Sequence, residues 1–246
     1  MATDPQARSA TDHPELGEVG APGDGAPQEF DRRLYCQLHV FGHCADTESL
    51  KETFSESGLE GVLYHDLNDP LGVGLLVITE DPDVLVGEAR SMLASEPFSS
   101  LQRKPELTMI GRTYSTGREV DLEDWMLVKP RRYAFNPEWP WAIWYPLRRK
   151  PEFGLLTEVE QGKILREHAM IGKTYSQGGH AFDIRLACFG LDQNDNEFVL
   201  GLVGPELHPL SRLVQDMRKT QQTAKYIESL GPFFVGKVCW QSPLKT

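Results

Sequence analysis

The sequence predicts an α+β chain: two ferredoxin-like halves fused in tandem, each an antiparallel sheet with its helices outside. Three observations lead there. Eight short apolar segments read as strands and four longer segments as helices. They follow the order strand, helix, strand, strand, helix, strand, and they do so twice. Between the two runs lies a connector too long and too aromatic to be idle linker. The expected division is a disordered acidic tail over 1–30, an N-terminal half over 31–115, the connector over 116–140 and a C-terminal half over 141–241.

The tail contains "GEVGAPGDGAPQE", which has almost no large apolar side chains, so burial cannot offset the entropy of ordering it. Order begins at "RRLYCQLHVFG", where Leu34, Cys36, Leu38 and Val40 alternate with Tyr35, Gln37, His39 and Phe41. "DTESLKETFSESG" has helical spacing at Leu50 and Phe54 and a stop at Gly58. "GVLYHDL" and "GVGLLVIT" read as strands, and "DPDVLVGEARSMLAS" as a helix with Pro82 in its first turn. "ELTMIGRTYS" closes the half as a strand. In the second half "WAIWYPL" is a strand, and "TEVEQGKILREHAMIG" is a helix opened by a Thr157/Glu160 capping box and stopped at Gly172. "HAFDIRLACFGL" and "EFVLGLVG" are strands joined around the turn sequence "DQNDN". "HPLSRLVQDMRKTQQTAKYIESLG" reads as one helix and "FFVGKVCW" as the last strand. Two such sheets either pack face to face or join edge to edge into a barrel.

Charge and cysteine usage exclude several classes. The formal charge is -11, and residues 1–31 hold seven acidic side chains against one basic. An acidic chain lacks the concentrated Lys and Arg that phosphate backbones require, so nucleic acid is not the expected partner. No apolar run is long enough for a membrane span, and the N-terminus has no secretory pattern. Cys36, Cys44, Cys188 and Cys239 form no CxxC pair and read as reduced thiols of a cytoplasmic protein.

One histidine stands out. Ile164, Leu165, His168 and Ile171 fall on one helical stripe, so His168 points toward packed structure. Periodicity alone leaves two readings: a hydrogen-bonded core residue, or a ligand aimed into a cavity. The surrounding segments bear on the choice. "WYPLRRK", then the capped helix ending "REHAMIGKTY", then "GLDQNDNEF", then "VQDMRKTQQTAKYIESLGPFFVG" resemble, in that order, the chlorite dismutase superfamily, and most of all its coproheme decarboxylase branch.

The resemblance implies a curved barrel of two ferredoxin-like halves, assembly as a homopentamer, and heme or iron-coproporphyrin III (coproheme) in the C-terminal half. It implies that His168 is the proximal ligand of the heme iron. The tyrosine of the "YP" motif is Tyr145, the residue that hydrogen peroxide chemistry oxidises so that it takes a hydrogen atom from a propionate; carbon dioxide then leaves a vinyl group. Arg131 of "KPRRY" and Arg218 of "DMRKT" match propionate-binding arginines, Thr223 keeps the hydroxyl of a family serine, and Arg149 or Lys150 supplies the cation after "YP". The distal group stays open. Counting forward from His168 lands on Ala181, counting back from Gly190 lands on Asp183, and a further slip reaches Arg185. All three share one strand face because the period is two. Where the family has glycine and arginine after the histidine, this chain has Ala169 and Lys173. Two alternatives accompany the decarboxylase reading: a divergent peroxidase-like or chlorite-degrading enzyme, and a non-catalytic heme-binding or structural member that kept the fold.

Overall fold

Two sheets with the expected strand order share both of their edges, and that sharing decides the architecture. The computed structural model describes residues 15–22 and 28–243. A short ribbon of β1 (Glu18–Val19) and β2 (Glu29–Phe30) comes first. The N-terminal half follows with β3 (Tyr35–Gly42), α1 (Thr47–Glu56), β4 (Gly61–Asp66), β5 (Val73–Thr79), α2 (Asp83–Val86), α3 (Glu88–Leu93), β6 (Gln102–Arg103) and β7 (Met109–Arg112). In the connector lie a π-helical turn over Asp124–Val128 and α4 (Lys129–Ala134). The C-terminal half contains β8 (Trp141–Arg149), α5 (Glu158–Gln177), β9 (Phe182–Ala187), β10 (Phe198–Gly204), α6 (Leu207–Met217), β11 (Ile227–Leu230) and β12 (Phe234–Gln241).

The N-terminal strands run in the order β7-β3-β5-β4 and the C-terminal strands in the order β12-β8-β10-β9. Each is the ferredoxin-like arrangement with two open edges. β4 pairs with β12 over five residue pairs, and β7 meets β9 at Arg112 and Ala187. Every pairing is antiparallel, and the result is a closed eight-stranded barrel among the described residues. Closure satisfies edge N–H and C=O groups that would otherwise face solvent. Of the two packings left open by the sequence, the edge-to-edge barrel is the one formed.

Strand alternation sends one face of each strand inward. Leu38, Cys36, Tyr64, Leu76, Trp144, Val203 and Phe234 fill the barrel. Trp144 fits because its cross-strand partner is Gly201, where a Cβ would come within 2.5 Å of the indole. The other faces are covered by helices: α1 and α3 over the N-terminal sheet, α5 and α6 over the C-terminal one.

Four expectations need correction. Within the tail, residues 15–22 and 28–30 are ordered against the end of the N-terminal half and the connector: Glu18 bonds Arg112 at 3.0 Å and the Ser115 N–H at 2.9 Å, and the Ala21 N–H bonds the Glu119 carbonyl at 2.8 Å. Composition counts apolar surface and cannot register such charged anchors; the rest of the tail lies outside the described residues. The helix expected over "DPDVLVGEARSMLAS" breaks at Gly87 into α2 and α3. α5 does not stop at Gly172 but runs to Gln177 with Gly178 as its cap. The long helix expected after His208 ends at Met217, passes through a π-helical turn (Gln222–Tyr226) and becomes β11, which pairs with the end of β8.

Candidate functional site

The capping box sets the phase of α5. The Thr157 N–H bonds Glu160 Oε2 at 2.9 Å, and the Thr157 hydroxyl accepts from the Glu160 N–H. From that start Gln161, Ile164, Leu165, His168, Ile171, Gly172 and Tyr175 form the stripe turned toward the sheet, with His168 near its middle. Only Ile164 of the helix's 20 residues is fully buried. The helix therefore covers the sheet without pressing on it.

Below it, register fixes which side chains share the covered face. Leu200 on β10 pairs with Tyr145 on one side and Arg185 on the other, so these three form a row. Leu202, Ile143 and Asp183 form the next row. Tyr145 is buried and stacked on Phe233, with ring centroids 4.7 Å apart. Leu200 stays only half-buried although strands flank it on both sides and a helical layer lies above. Asp183 and Arg185 keep 35% and 39% side-chain exposure, yet desolvation heads the influences on both groups. Groups that are deep and still reached by water line a concavity.

The charged groups around this concavity sense one another. Burial, with the Arg185 charge second, pushes the His168 imidazole down to about 4, so the ring is neutral at physiological pH. Burial and then Asp183 push the Tyr145 phenol well above its ordinary value, while Arg218 opposes them. Burial alone would raise the Asp183 carboxyl; the Arg185 and Lys129 charges outweigh it and hold the group below the usual carboxylate range. Arg185 bonds Asp183 through Nε and lies over the Trp125 ring at 5.1 Å. On the helix side, His168 Nδ1 lies 3.4 Å from the Thr220 hydroxyl, which leaves Nε2 as the ring's uncommitted nitrogen among the described residues.

The structure thus brings together His168, Tyr145, Asp183, Arg185 and, at longer range, Arg218. Arg218 caps α6 as an exposed cation. Thr223 is half-buried and bonds Thr220. Four other expected residues sit elsewhere or are otherwise engaged. Ala181 packs beneath α6 with Leu210 and Leu213 and does not line the concavity. Arg131 is spent on the N-terminal half, bonding the buried Glu60 at 2.8 Å and lying 3.5 Å from Glu80. Arg149 shares the Tyr145 face but is paired with Glu197 at 2.9 Å and held between the Phe153 and Phe198 rings. Lys150 is exposed at the strand end.

Sequence reasoning missed Lys129, Trp125 and Tyr114. Lys129 Nζ lies 4.0 Å from the Trp125 ring centroid and 5.4 Å from that of Tyr133. Burial lowers its pKa, and Asp183 and Arg185 are the charges that act on it most. Tyr114 packs at a tilt against Phe198, and its phenol is raised by burial against the pull of Arg185 and Arg149. The aromatic connector was the signal for Trp125; nothing local distinguished Lys129 from Arg131, two residues on.

Comparison with known proteins places the sequence in a family. The sequence model of the chlorite dismutase family matches residues 98–239. Coproheme decarboxylase of Mycolicibacterium smegmatis is 33% identical over 95 residues, 37% of each chain. The enzyme of that name from Staphylococcus carnosus is 30% identical over 123 residues, 48% of this chain and 47% of that one. These matches span less than half of either relative. Among solved structures, a heme-binding protein from Thermus thermophilus superposes with a TM-score of 0.64 at 21% identity, covering 85% of this chain and 93% of that one. Chlorite dismutase from Candidatus Nitrospira defluvii, in complex with imidazole, gives 0.66 at 16% identity, covering 86% and 92%. At such identities the two structures speak for the fold alone.

Proposed function

Because this chain belongs to the chlorite dismutase family, we propose that it is a heme-dependent oxidoreductase that converts coproheme to heme b with hydrogen peroxide. The observation that carries the reading is the incompletely covered face of β9 and β10, lying under a helix whose central side chain is a neutral imidazole. The residues present fit an iron porphyrin. His168 Nε2 is an uncommitted donor of the type that binds heme iron, the half-buried Leu200 and Leu147 offer apolar surface, and Arg218 and Thr223 offer a cation and a hydroxyl for propionates.

The bound iron porphyrin supplies one-electron oxidising power when peroxide is present. The chain's own residues do the rest. Tyr145, with its ionisation suppressed by burial, gives up an electron and a proton together. It regains its hydrogen from a propionate, whose carboxylate departs as carbon dioxide. Overall each propionate, one peroxide and one proton yield a vinyl group, carbon dioxide and two waters, and two rounds complete the conversion. Arg185 shares a row with Tyr145 and Asp183 stands in the next row, which supports the Arg185–Asp183 pair over Ala181 on the distal side, and Lys129 supports a supply of positive charge from the connector where Arg131 was expected.

Arg185 also favours a second reading, chlorite degradation, since a guanidinium holds oxyanions. Its ion pair with Asp183 works against that reading, because a matched charge attracts an incoming anion less. Reduced thiols throughout fit a cytoplasmic setting. Among the described residues no helix is long and apolar enough to cross a membrane. Exposed Leu155, Val159 and Phe189 offer surface for the homopentamer that the family resemblance implies. The test is to load the purified chain with iron coproporphyrin III, titrate peroxide and follow the products by mass spectrometry. Stepwise loss of two carboxyl groups, abolished in Tyr145→Phe with binding intact, supports the reading. Turnover surviving in Tyr145→Phe overturns the mechanism, and rapid chlorite breakdown without carboxyl loss selects the second reading.

A further inference from the structure

We infer that Thr220 is a positioning residue for His168: its hydroxyl sets the imidazole in the Nδ1–H tautomer and leaves the axial donor a neutral imidazole. The inference rests on the iron-ligand reading of His168 and adds what the ligand's electronic character is.

The assignment follows from counting protons at one oxygen. Thr220 is 1% exposed, so water does not supply its partners. Its hydroxyl donates to the Met217 carbonyl at 2.8 Å, the shortest of its bonds. With that proton used, the oxygen has only lone pairs to offer, so the Thr223 hydroxyl at 3.3 Å and the Thr223 N–H at 3.4 Å both donate to it. His168 Nδ1, also 3.4 Å away, must then be the donor. A proton on Nδ1 leaves the lone pair on Nε2, the nitrogen a metal takes.

The chemical nature of the acceptor matters as much as the tautomer. A carboxylate on Nδ1 draws the proton away and makes the ring a more basic ligand. The carboxylates nearby are engaged elsewhere. Glu167 accepts from the Gln221 N–H at 2.9 Å, Asp183 is bonded by Arg185, and Asp216 is shared by Tyr175, Arg212 and Lys219. A long bond to a neutral hydroxyl fixes the ring without loading it with charge. The iron above such a ligand has a higher reduction potential and a weaker bond to histidine than above a carboxylate-backed ring.

The first measurement needs no cofactor. Long-range proton–nitrogen correlation on the nitrogen-15-labelled, porphyrin-free chain at pH 7 is expected to show His168 protonated on Nδ1. Thr220→Val, nearly isosteric, is expected to shift the ring toward Nε2–H, and Thr220→Ser to restore the wild-type pattern. The second measurement is resonance Raman spectroscopy of the ferrous protein loaded with iron protoporphyrin. The iron–histidine stretch is expected to fall in Thr220→Val and stay in place in Thr220→Ser. A wild-type ring protonated on Nε2, or a stretch that does not move in Thr220→Val, overturns the proposal alone. A missing iron–histidine band in the loaded wild type overturns the ligand reading of His168, and the axial half of this proposal with it.

Discussion

α1 and α5 occupy equivalent places, each crossing the outer face of a four-stranded sheet, yet they treat that face differently. α1 has ten residues and drives Leu50 and Phe54, both fully buried, onto Leu63, Leu75 and Val77. α5 has twice the length and buries one residue. The strands below follow suit. Leu75 and Val77 of β5 are sealed, while Leu200 at the corresponding strand of the second half stays half-buried among Tyr145, Asp183 and Arg185. One topology, used twice, is packed shut in one half and held open in the other. The open copy is where polar groups collect, because a side chain such as Asp183 can stay charged only where water, a ligand or a paired cation such as Arg185 reaches it.

That contrast can be broken at several points. The largest effect is expected at its tightest contact: Phe54→Ala removes a fully buried ring packed at a tilt against Trp240 and should cost about 3–5 kcal/mol in urea unfolding. A loss below about 1 kcal/mol would erase the distinction between the halves. Next comes acid. The His168 ring has a pKa of about 4 in the fold against an ordinary 6.5. Above 6.5 neither state holds the proton and the ring contributes nothing. Between 6.5 and 4 the unfolded chain takes a proton that the native chain refuses, so stability falls by up to about 3 kcal/mol as pH drops through that window. His168→Leu should flatten this limb in a pH series of unfolding curves. Wild-type affinity for iron porphyrin should hold level down to near pH 4. Arg131→Met should cost about 1–3 kcal/mol by leaving the Glu60 carboxylate without its partner, and should leave porphyrin titrations unchanged. Weakened porphyrin binding in that variant would return Arg131 to the site. The smallest effect sharpens the comparison: Leu200→Ala should cost less than about 1 kcal/mol, against about 2–5 for Leu75→Ala, since a half-wetted side chain has less transfer energy to lose.

Much of this was legible beforehand, and the failures have a pattern. The alternation in Leu34–Phe41 and the capping box at Thr157 are local, and both elements form where expected. His168 was legible as facing inward because helix phase is local too. Gly172 misled because helix stops are judged by residue type, whereas here the helix runs on through the glycine to Gln177. Arg131 misled because its motif lies beside Lys129 on one short helix. Which of the two cations turns to the C-terminal half depends on where Glu60 and Asp183 lie, far off in sequence. Thr220 carried no signal, since a hydroxyl two residues past Arg218 looks like any helix-end threonine.

The sequence by itself determined the order of elements, the two-fold repetition, and which face of each strand and helix is apolar. These follow from periodicities of two and 3.6 residues and from capping groups within four residues of each other. The tertiary structure alone decided that the sheets close edge to edge, that Arg185 and not Ala181 shares a row with Tyr145, and that Thr220 meets His168. Each of these joins residues dozens of positions apart, and such a meeting is set by strand register and helix packing, which no local pattern encodes.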